Sequence, residues 1–434
     1  MNQSGYRWRI CALLFFATTI NYLDRQVLGL LKPALAAQLN WSETEYSYIV
    51  VVFTACYALG LLLSGKLVDR FGVKIGYAAC VFVWSIAACG HALVRSTFGF
   101  GAARALLGVA EAGSFPAAVK SVSEWFPKRE RAFAVGILTA GTSIGAVAAP
   151  AVVPWLASTY GWQAAFFVTG LTGFVWLGFW FAMYEVPQRH RKVQREELAL
   201  IVEGGAVSDP ANAKVSWFSL FKYRGTWVFF VGKLLTDPVW WFMAFWLPSY
   251  FNSRFGLDLK NLGLPLAVIY VATSLGSVIG GWVSSRLIAR GWSVSKARQT
   301  TMLCIACLVV PIVLSPWVSN MWVMVGLLSL AVGSHQGWSA NLFTRPADLF
   351  PKEFVGSVVG IGGMAGALGS TLFPIFVGRL LDHFKALGNV DTGYNIIFAI
   401  CGCAYLVAWL LMRVLQPVEA RIEAQNAATV PAIK

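Results

Sequence analysis

From Ala164 to Tyr184 the chain runs through 21 consecutive residues without a charged side chain, and Ile75 to Val94 is a second run without Asp, Glu, Lys or Arg. About 20 apolar residues coiled as a helix match the hydrocarbon thickness of a bilayer. Such runs recur along all 434 residues, so that 57% of the chain is hydrophobic and only 12% charged. An ordinary soluble chain is about 25% charged, and the deficit here leaves too few charges for a water-facing surface. Soluble multi-domain enzymes, disordered chains and disulfide-built secreted scaffolds are excluded on this ground. A porin-like barrel would need segments of about 10 residues in strict alternation, and these runs are too long.

Twelve apolar windows read as membrane helices: 8–31, 45–64, 76–95, 99–122, 131–154, 164–185, 226–250, 262–284, 298–315, 320–342, 354–378 and 394–415. The first follows Arg7 and Arg9 like a signal peptide, yet it continues past Asp24 and Arg25 to Leu31 with no small-residue cleavage site, and a retained helix is expected.

The excess of 34 Lys and Arg over 20 Asp and Glu gives a net charge of +14, which in a soluble protein would suggest nucleic acid. Here the placement of the cations matters more. If the N-terminus is cytoplasmic, 25 of them fall in inner segments and six in outer loops, while Arg25, Arg104 and Lys233 lie within windows. The positive-inside rule then places both termini in the cytoplasm. The expected surroundings are lipid bilayer, with no nucleic-acid partner. All eight cysteines fall in apolar runs and read as small buried hydrophobes. Cys304 and Cys307 form a C-x-x-C without a thioredoxin-like context, so neither a redox role nor a metal is expected.

The longest polar stretch separates the chain into a six-helix half over 1–185, a cytoplasmic linker over 186–225 that includes Ser208-Asp209-Pro210, and a second six-helix half over 226–434 with a short cytoplasmic tail. The halves are related. Phe126-Pro127-Lys128 recurs as Phe350-Pro351-Lys352, and the same offset of 224 superimposes Val135-Gly136-Ile137 on Val359-Gly360-Ile361, Gly145 on Gly369 and Pro150 on Pro374. A same-direction duplication of six helices is a transporter design in which substrate binds where the halves meet. Chance similarity between glycine-rich helices is the alternative.

Two nucleotide-like strings dissolve on inspection. Gly60 to Leu67 approaches a phosphate-binding loop, but Leu67 stands where the magnesium-binding hydroxyl belongs. Gly360-x-Gly362-x-x-Ala365 lies inside an apolar window, where small residues serve close helix packing. No cofactor is expected. The sequon Asn40-Trp41-Ser42 sits in a short outer loop and is expected to be unused.

A charge at a helix centre costs about 2.5 to 3.5 kcal/mol on insertion scales, so those inside the windows must be paired or functional. Asp24 lies seven residues from the outer end of the first window, and Arg104 five from the same surface on the fourth; at 1.5 Å per residue these depths agree to within about 3 Å, so an Asp24 to Arg104 ion pair is feasible. Arg25, about 100° around the helix from Asp24, points elsewhere and is free for another anion. Glu111 is two turns beyond Arg104, and a carboxyl there can bind and release a proton. Two such carboxyls, Asp24 and Glu111, suggest two protons per cycle, and Arg25 is the one evident static partner for Glu111. A static packing network is the competing reading. Lys233 and Asp237, four residues apart, can pair with each other. Trp240, Trp241, Phe242 and Trp246 follow, aromatic faces that suit either a sugar or helix packing. Along the tenth window and just past its end, Ser334, Trp338, Asn341 and Arg345 recur at helical spacing; such a polar stripe usually faces a cavity, which makes Asn341 a binding candidate while His335 alone is not.

Gly65-Lys66-Leu67-Val68-Asp69-Arg70-Phe71-Gly72-Val73-Lys74 resembles the signature loop of the major facilitator superfamily, with a degraded copy at Ser285 to Gly291. NYLDR at 21–25, RALLGVAEAGSFP at 104–116, EWFPKRERAFAVGI at 124–137, GWQAAF at 161–166 and LTDPVWWF at 235–242 are similar to the hexuronate and sugar-acid branch of its anion:cation symporters. The resemblance implies an all-α membrane protein of twelve helices with the major facilitator fold, multi-pass in a bacterial inner membrane and working as a monomer. It further implies that Arg25 binds a sugar-acid carboxylate with help from Tyr57 and Tyr22, that Asp24, Arg104 and Glu111 couple transport to protons, and that Asp69 and Arg70 belong to an inner gate. The expected function is proton-coupled import of a hexuronate or aldonate by alternating access. The alternative is a facilitative carrier or pore for another organic anion. An enzyme is disfavoured, because neither a nucleophile with its base nor a metal cluster is legible.

Overall fold

The computed structural model describes residues 5–41, 43–202, 217–255 and 263–415. Ser42 of the sequon, Ser208-Asp209-Pro210 and the tail from 416 lie outside these, as does the side chain of Trp246. Among the described residues there are helices and no strand: α1 (Tyr6–Leu39), α2 (Glu43–Gly90), α3 (Thr97–Glu111), α4 (Ser114–Trp125), α5 (Arg131–Tyr160), α6 (Trp162–Met183), α7 (Arg195–Val202), α8 (Arg224–Phe255), α9 (Gly263–Ala289), α10 (Val294–Val309), α11 (Met321–Leu342), α12 (Thr344–Leu349), α13 (Val355–Ala386) and α14 (Val390–Leu415).

Each apolar window falls on helix, though not always one window to one element. The second and third share α2, which turns between them at Gly72 with φ 76° and ψ 164°, a conformation that only glycine adopts without strain. The fourth is divided between α3 and α4, and the ninth between α10 and a 3-10 stretch, Val310–Trp317. Seven helices among the described residues are long and apolar enough to cross a membrane by length and composition. They carry eight of the windows. The four left out are the first, fourth, seventh and tenth, every third one, and these hold Asp24 and Arg25, Arg104 and Glu111, Lys233 and Asp237, and the polar run ending at Asn341.

The repeat of 224 residues relates contacts as well as residue types. A Cβ on Gly136 of α5 would strike the Ser277 carbonyl oxygen of α9, and one on Gly360 of α13 would strike the Leu61 carbonyl oxygen of α2. In the same way Gly145 sits against Thr19 of α1, and Gly369 against Leu234 of α8. Each central helix therefore presents one small-residue face to its own half and another to the opposite half.

The linker does more than join. Glu197 of α7 accepts the free backbone N–H groups of Tyr6 and Arg7 at the start of α1, and the Arg7 side chain bridges it to Glu130. A carboxylate at a helix N-terminus satisfies orphan donors and opposes the positive end of the helix dipole. His190 packs against Tyr6 with ring centroids 4.2 Å apart and the rings tilted by 45°. The visible start of the linker thus belongs physically to the first half.

Large apolar side chains such as Phe16, Leu63, Phe179, Leu372 and Val414 stand exposed on the outer helix faces, as a lipid-facing surface requires. This corrects the expectation that all cysteines are buried. Cys11, Cys80 and Cys401 are, but Cys304, Cys307 and Cys403 are exposed on α10 and α14, because apolar flanks mark a lipid face as readily as a core.

Gly360→Val should wedge α13 away from α2. The expected outcome is a longer distance between spin labels at Lys66 and Lys352, with no change for the same labels in Gly326→Val, where a Cβ meets open space.

Candidate functional site

Close approach of α2 and α3 builds the centre of the first half. Gly108 lies against the Phe53 carbonyl, and Gly60 against the backbone of Val109. Phe53 and Tyr57 are thereby carried to Arg25 of α1, whose guanidinium carbon lies 4.6 Å from the Tyr57 ring, 4.9 Å from Tyr22 and 5.5 Å from Phe53. Its Nε donates to Glu111 Oε2 at 3.0 Å. Glu111 is fully buried and the Arg25 side chain is 14% exposed. A buried ion pair holds only when its remaining donors and acceptors are also satisfied, and here two are not: Arg25 Nη2 and Glu111 Oε1 have no hydrogen-bond partner. The three aromatic faces solvate the cation in part, and the orphaned Nη2 leaves Arg25 able to take a second oxygen ligand.

Two expectations are corrected here. Arg25 is not free, because Glu111 occupies it. Asp24 and Arg104 are not within the 4.0 Å of an ion pair: Arg104 donates to the Arg25 carbonyl oxygen at 3.5 Å and lies 5.4 Å from the Phe53 ring, while both Asp24 oxygens are buried without a hydrogen-bond partner. Counting along the helices sets only the depth of these residues. Azimuth separates them, since Arg104 turns to the Arg25 backbone.

In the second half Lys233 Nζ is 2.6 Å from Asp237 Oδ2, the expected pair along one helix. The same ammonium lies 4.5 Å from the ring of Phe343, which stacks on Phe115 of the first half with centroids 4.9 Å apart. Trp241 is half-buried on α8, while Trp240 stacks on His335, itself hydrogen-bonded to Tyr405 at 2.5 Å. Asn341 departs from its expected place. It is buried, and its amide donates to the carbonyls of Gly280 and Gly337 at 2.9 Å each. Gly276 and Gly280 let α9 press onto α11, where the Asn341 amide nitrogen ties the two helices together, while its Oδ1 has no hydrogen-bond partner.

The end of the molecule that carries the signature loop is locked by two ionic clamps. Asp69 takes Lys120 at 2.7 Å and accepts the N–H groups of Gly356 and Ser357 in the first turn of α13, at 3.1 and 2.6 Å. Arg70 takes no part; it is exposed and lies over Phe71. In the other clamp Asp348 receives Arg131 of α5 at 3.4 Å and Arg298 of α10 at 3.2 Å, while Arg131 also donates to the Ala347 carbonyl. The sequence reading missed this second clamp. A signal was present, since Glu124 and Asp348 hold the same place two residues before the repeated Phe-Pro-Lys.

A family model described as the Major Facilitator Superfamily matches residues 14–374. The chain belongs to this superfamily. It is 31% identical to the hexuronate transporter of Escherichia coli strain K12 over 97% of this chain and 98% of that one. It is 34% identical to the galacturonate transporter of Dickeya chrysanthemi over 64% of this chain and 81% of the relative. The solved structure of the proton:xylose symporter XylE, bound to 6-bromo-6-deoxy-D-glucose, has a TM-score of 0.70 and 16% identity, covering 98% of this chain and 99% of that one, and so shares the fold. As a superfamily member the protein is a multi-pass membrane transporter and not an enzyme. Among the described residues no group of three His, Cys, Asp or Glu side chains is placed to hold a metal.

Removing Asp348 would leave two buried arginines facing one another, and breaking one side of a buried pair costs about 3 to 5 kcal/mol. Asp348→Ala should lower the unfolding temperature of the purified transporter sharply, whereas Arg70→Ala should leave it unchanged.

Proposed function

We propose that this transporter imports a sugar acid, a hexuronate or an aldonate, together with protons. The observation that carries the reading is Arg25, held by an internal carboxylate in an aromatic cage with one guanidinium nitrogen still unpartnered. A sugar acid offers what that cage lacks, a carboxylate for the planar guanidinium fork and a ring or chain whose C–H face lies on Tyr22 and Tyr57. Substrate would displace Glu111 from Arg25, and Glu111, left buried without its cation, would take a proton. Asp24 is a second proton site, because a carboxylate buried with no partner is costly and a proton removes that cost. Two protons, at Asp24 and Glu111, remain the stoichiometry we favour. Arg104, against the Arg25 backbone, would position the cage. The sugar-acid relatives support this substrate class.

Twelve spans with both termini cytoplasmic accord with the 25 inner and six outer cations and with helices on all twelve windows. The end locked by Asp69 and Asp348 is then cytoplasmic, and the form described is closed to the cytoplasm. Alternating access would open that end by breaking both clamps while the outer end closes on Arg25. Trp241 would meet the sugar from the second half.

Arg25→Lys replaces the fork by a point charge. With a charged hydrogen bond worth about 1.5 to 3 kcal/mol, affinity for the accepted sugar acid should fall about tenfold to a hundredfold at an unchanged unfolding temperature; unaltered affinity would sink the assignment. Asp24→Asn in proteoliposomes should still exchange internal for external substrate but no longer concentrate it against a pH gradient. Uptake that ignores the gradient in the wild type would support a facilitative carrier instead.

A further inference from the structure

We infer that the turn between α9 and α10 is a binding site for an anionic phospholipid, with the headgroup phosphate on Arg286, Arg290 and Lys296 and an acyl chain along the outer face of α9. The copy of the signature loop at Ser285 to Gly291 sets Arg286 on Lys66 and Arg290 on Arg70, but Ala289 stands where Asp69 does. In the first half that acid is occupied by Lys120 and the start of α13. The second copy keeps the cations and lacks the acid. Its surroundings do not supply one, since the sequence from Leu259 to Ala347 contains neither Asp nor Glu. Asp348, just beyond, is taken by Arg131 and Arg298. Glu130, at the start of α5, which packs on α9, is taken by Arg7. Among the described residues, Arg286, Arg290 and Lys296 therefore have no ion-pair partner.

The turn gathers these three cations. Gly291, with φ 90°, returns the Trp292 N–H to the Leu287 carbonyl at 3.2 Å, and the Lys296 ammonium lies 4.7 Å from the Trp292 ring. Arg286 and Arg290 are neighbours one turn apart on α9. On the inner side Arg298 Nη1 donates to Ser284 Oγ at 2.6 Å, which ties α10 to α9 and leaves Arg286, Arg290, Trp292 and Lys296 exposed. The end of α9 carries only about half a negative charge, which the positive start of α10 offsets, so the cluster needs an anion from outside. A lipid supplies it with the right shape. Val271, Leu275, Ile279 and Trp282 form an exposed apolar row along α9, and the next positions in that row are Arg286 and Arg290. A phosphate headgroup on the cations therefore leaves its acyl chain lying on the row. Trp282 and Trp292 flank the cluster, as indoles do at the level of the headgroups.

Native mass spectrometry of the purified full-length transporter, titrated with dioleoylphosphatidylglycerol or dioleoylphosphatidylcholine, tests the site. The first phosphatidylglycerol should bind more tightly than the first phosphatidylcholine. With each cation contributing about fivefold against an anionic headgroup, Arg286→Gln/Arg290→Gln should weaken that phosphatidylglycerol about 25-fold. Arg286→Lys/Arg290→Lys, which keeps the charge, should hold it near the wild-type value. Lys66→Gln/Arg70→Gln removes the same charge from the other copy and should leave the affinity unchanged. Ala289→Asp, at an exposed position, restores the acid of the first copy and should weaken phosphatidylglycerol about fivefold without removing a cation; it keeps the site open to refutation if the double variant does not fold. Phosphatidylglycerol held no more tightly than phosphatidylcholine overturns the site. So does an affinity that Ala289→Asp leaves unmoved, or one that falls as far in Lys66→Gln/Arg70→Gln as in Arg286→Gln/Arg290→Gln. Inorganic phosphate at the lipid's concentration should not displace it; displacement would make the turn a site for free anions and overturn the lipid assignment.

Discussion

A single ion pair, Arg25 with Glu111, organises the interior of the first half. Two opposite charges on different helices, both withdrawn from solvent, cost too much to persist unless the chain is built around them. It is. Gly60 and Gly108 draw α2 onto α3, that approach delivers Phe53 and Tyr57 to the guanidinium, and Arg104 braces the Arg25 backbone from the far side. The pair is nevertheless left incomplete, with an unpartnered atom on each side chain. In the proposed function those valences are the ones the ligand takes.

The same pair stands at the head of a continuous physical path to the locked end. Glu111 closes α3; α4 begins three residues later and carries Lys120, which holds Asp69, and Asp69 in turn caps α13 of the opposite half. A change of charge at Glu111 therefore occurs on the segment that anchors one of the two clamps between halves. Interfaces of this kind, with small residues packed backbone to backbone and ionic pairs at the rim, have a made and an unmade state and little between them. The path is a spatial one, and it gives the displacement of Glu111 a place to act.

Much of this was legible in the sequence, and the remainder fails for a common reason. Apolar period and length exposed the helices, and the offset of 224 exposed the duplication that reappears in the contacts of Gly136 and Gly360. Depth along a helix follows from counting, which is why Lys233 and Asp237 were matched correctly along one helix. Azimuth between helices does not, so Asp24 was matched to Arg104, which donates instead to the Arg25 carbonyl, and Arg25 was offered both as free for another anion and as the one static partner of Glu111, of which the structure shows the second. Asn341 was misplaced because a polar stripe looks the same whether it faces a cavity or the bared carbonyls of a glycine-lined neighbour. What could not be read was the partners of the clamps, since Asp69, expected at an inner gate, meets Gly356 and Ser357 across 287 and 288 residues, and Arg131 meets Asp348 across 217.

The central claim is that substrate takes the place of Glu111 on Arg25 and leaves Glu111 protonated. Calorimetry of galacturonate binding in buffers of different ionisation enthalpy measures that proton directly, because the observed heat shifts in proportion to the protons exchanged with the buffer. The account predicts an uptake of about one proton per galacturonate bound near neutral pH, absent in Glu111→Gln. Heats that do not depend on the buffer, or a proton uptake that persists in Glu111→Gln, would contradict it.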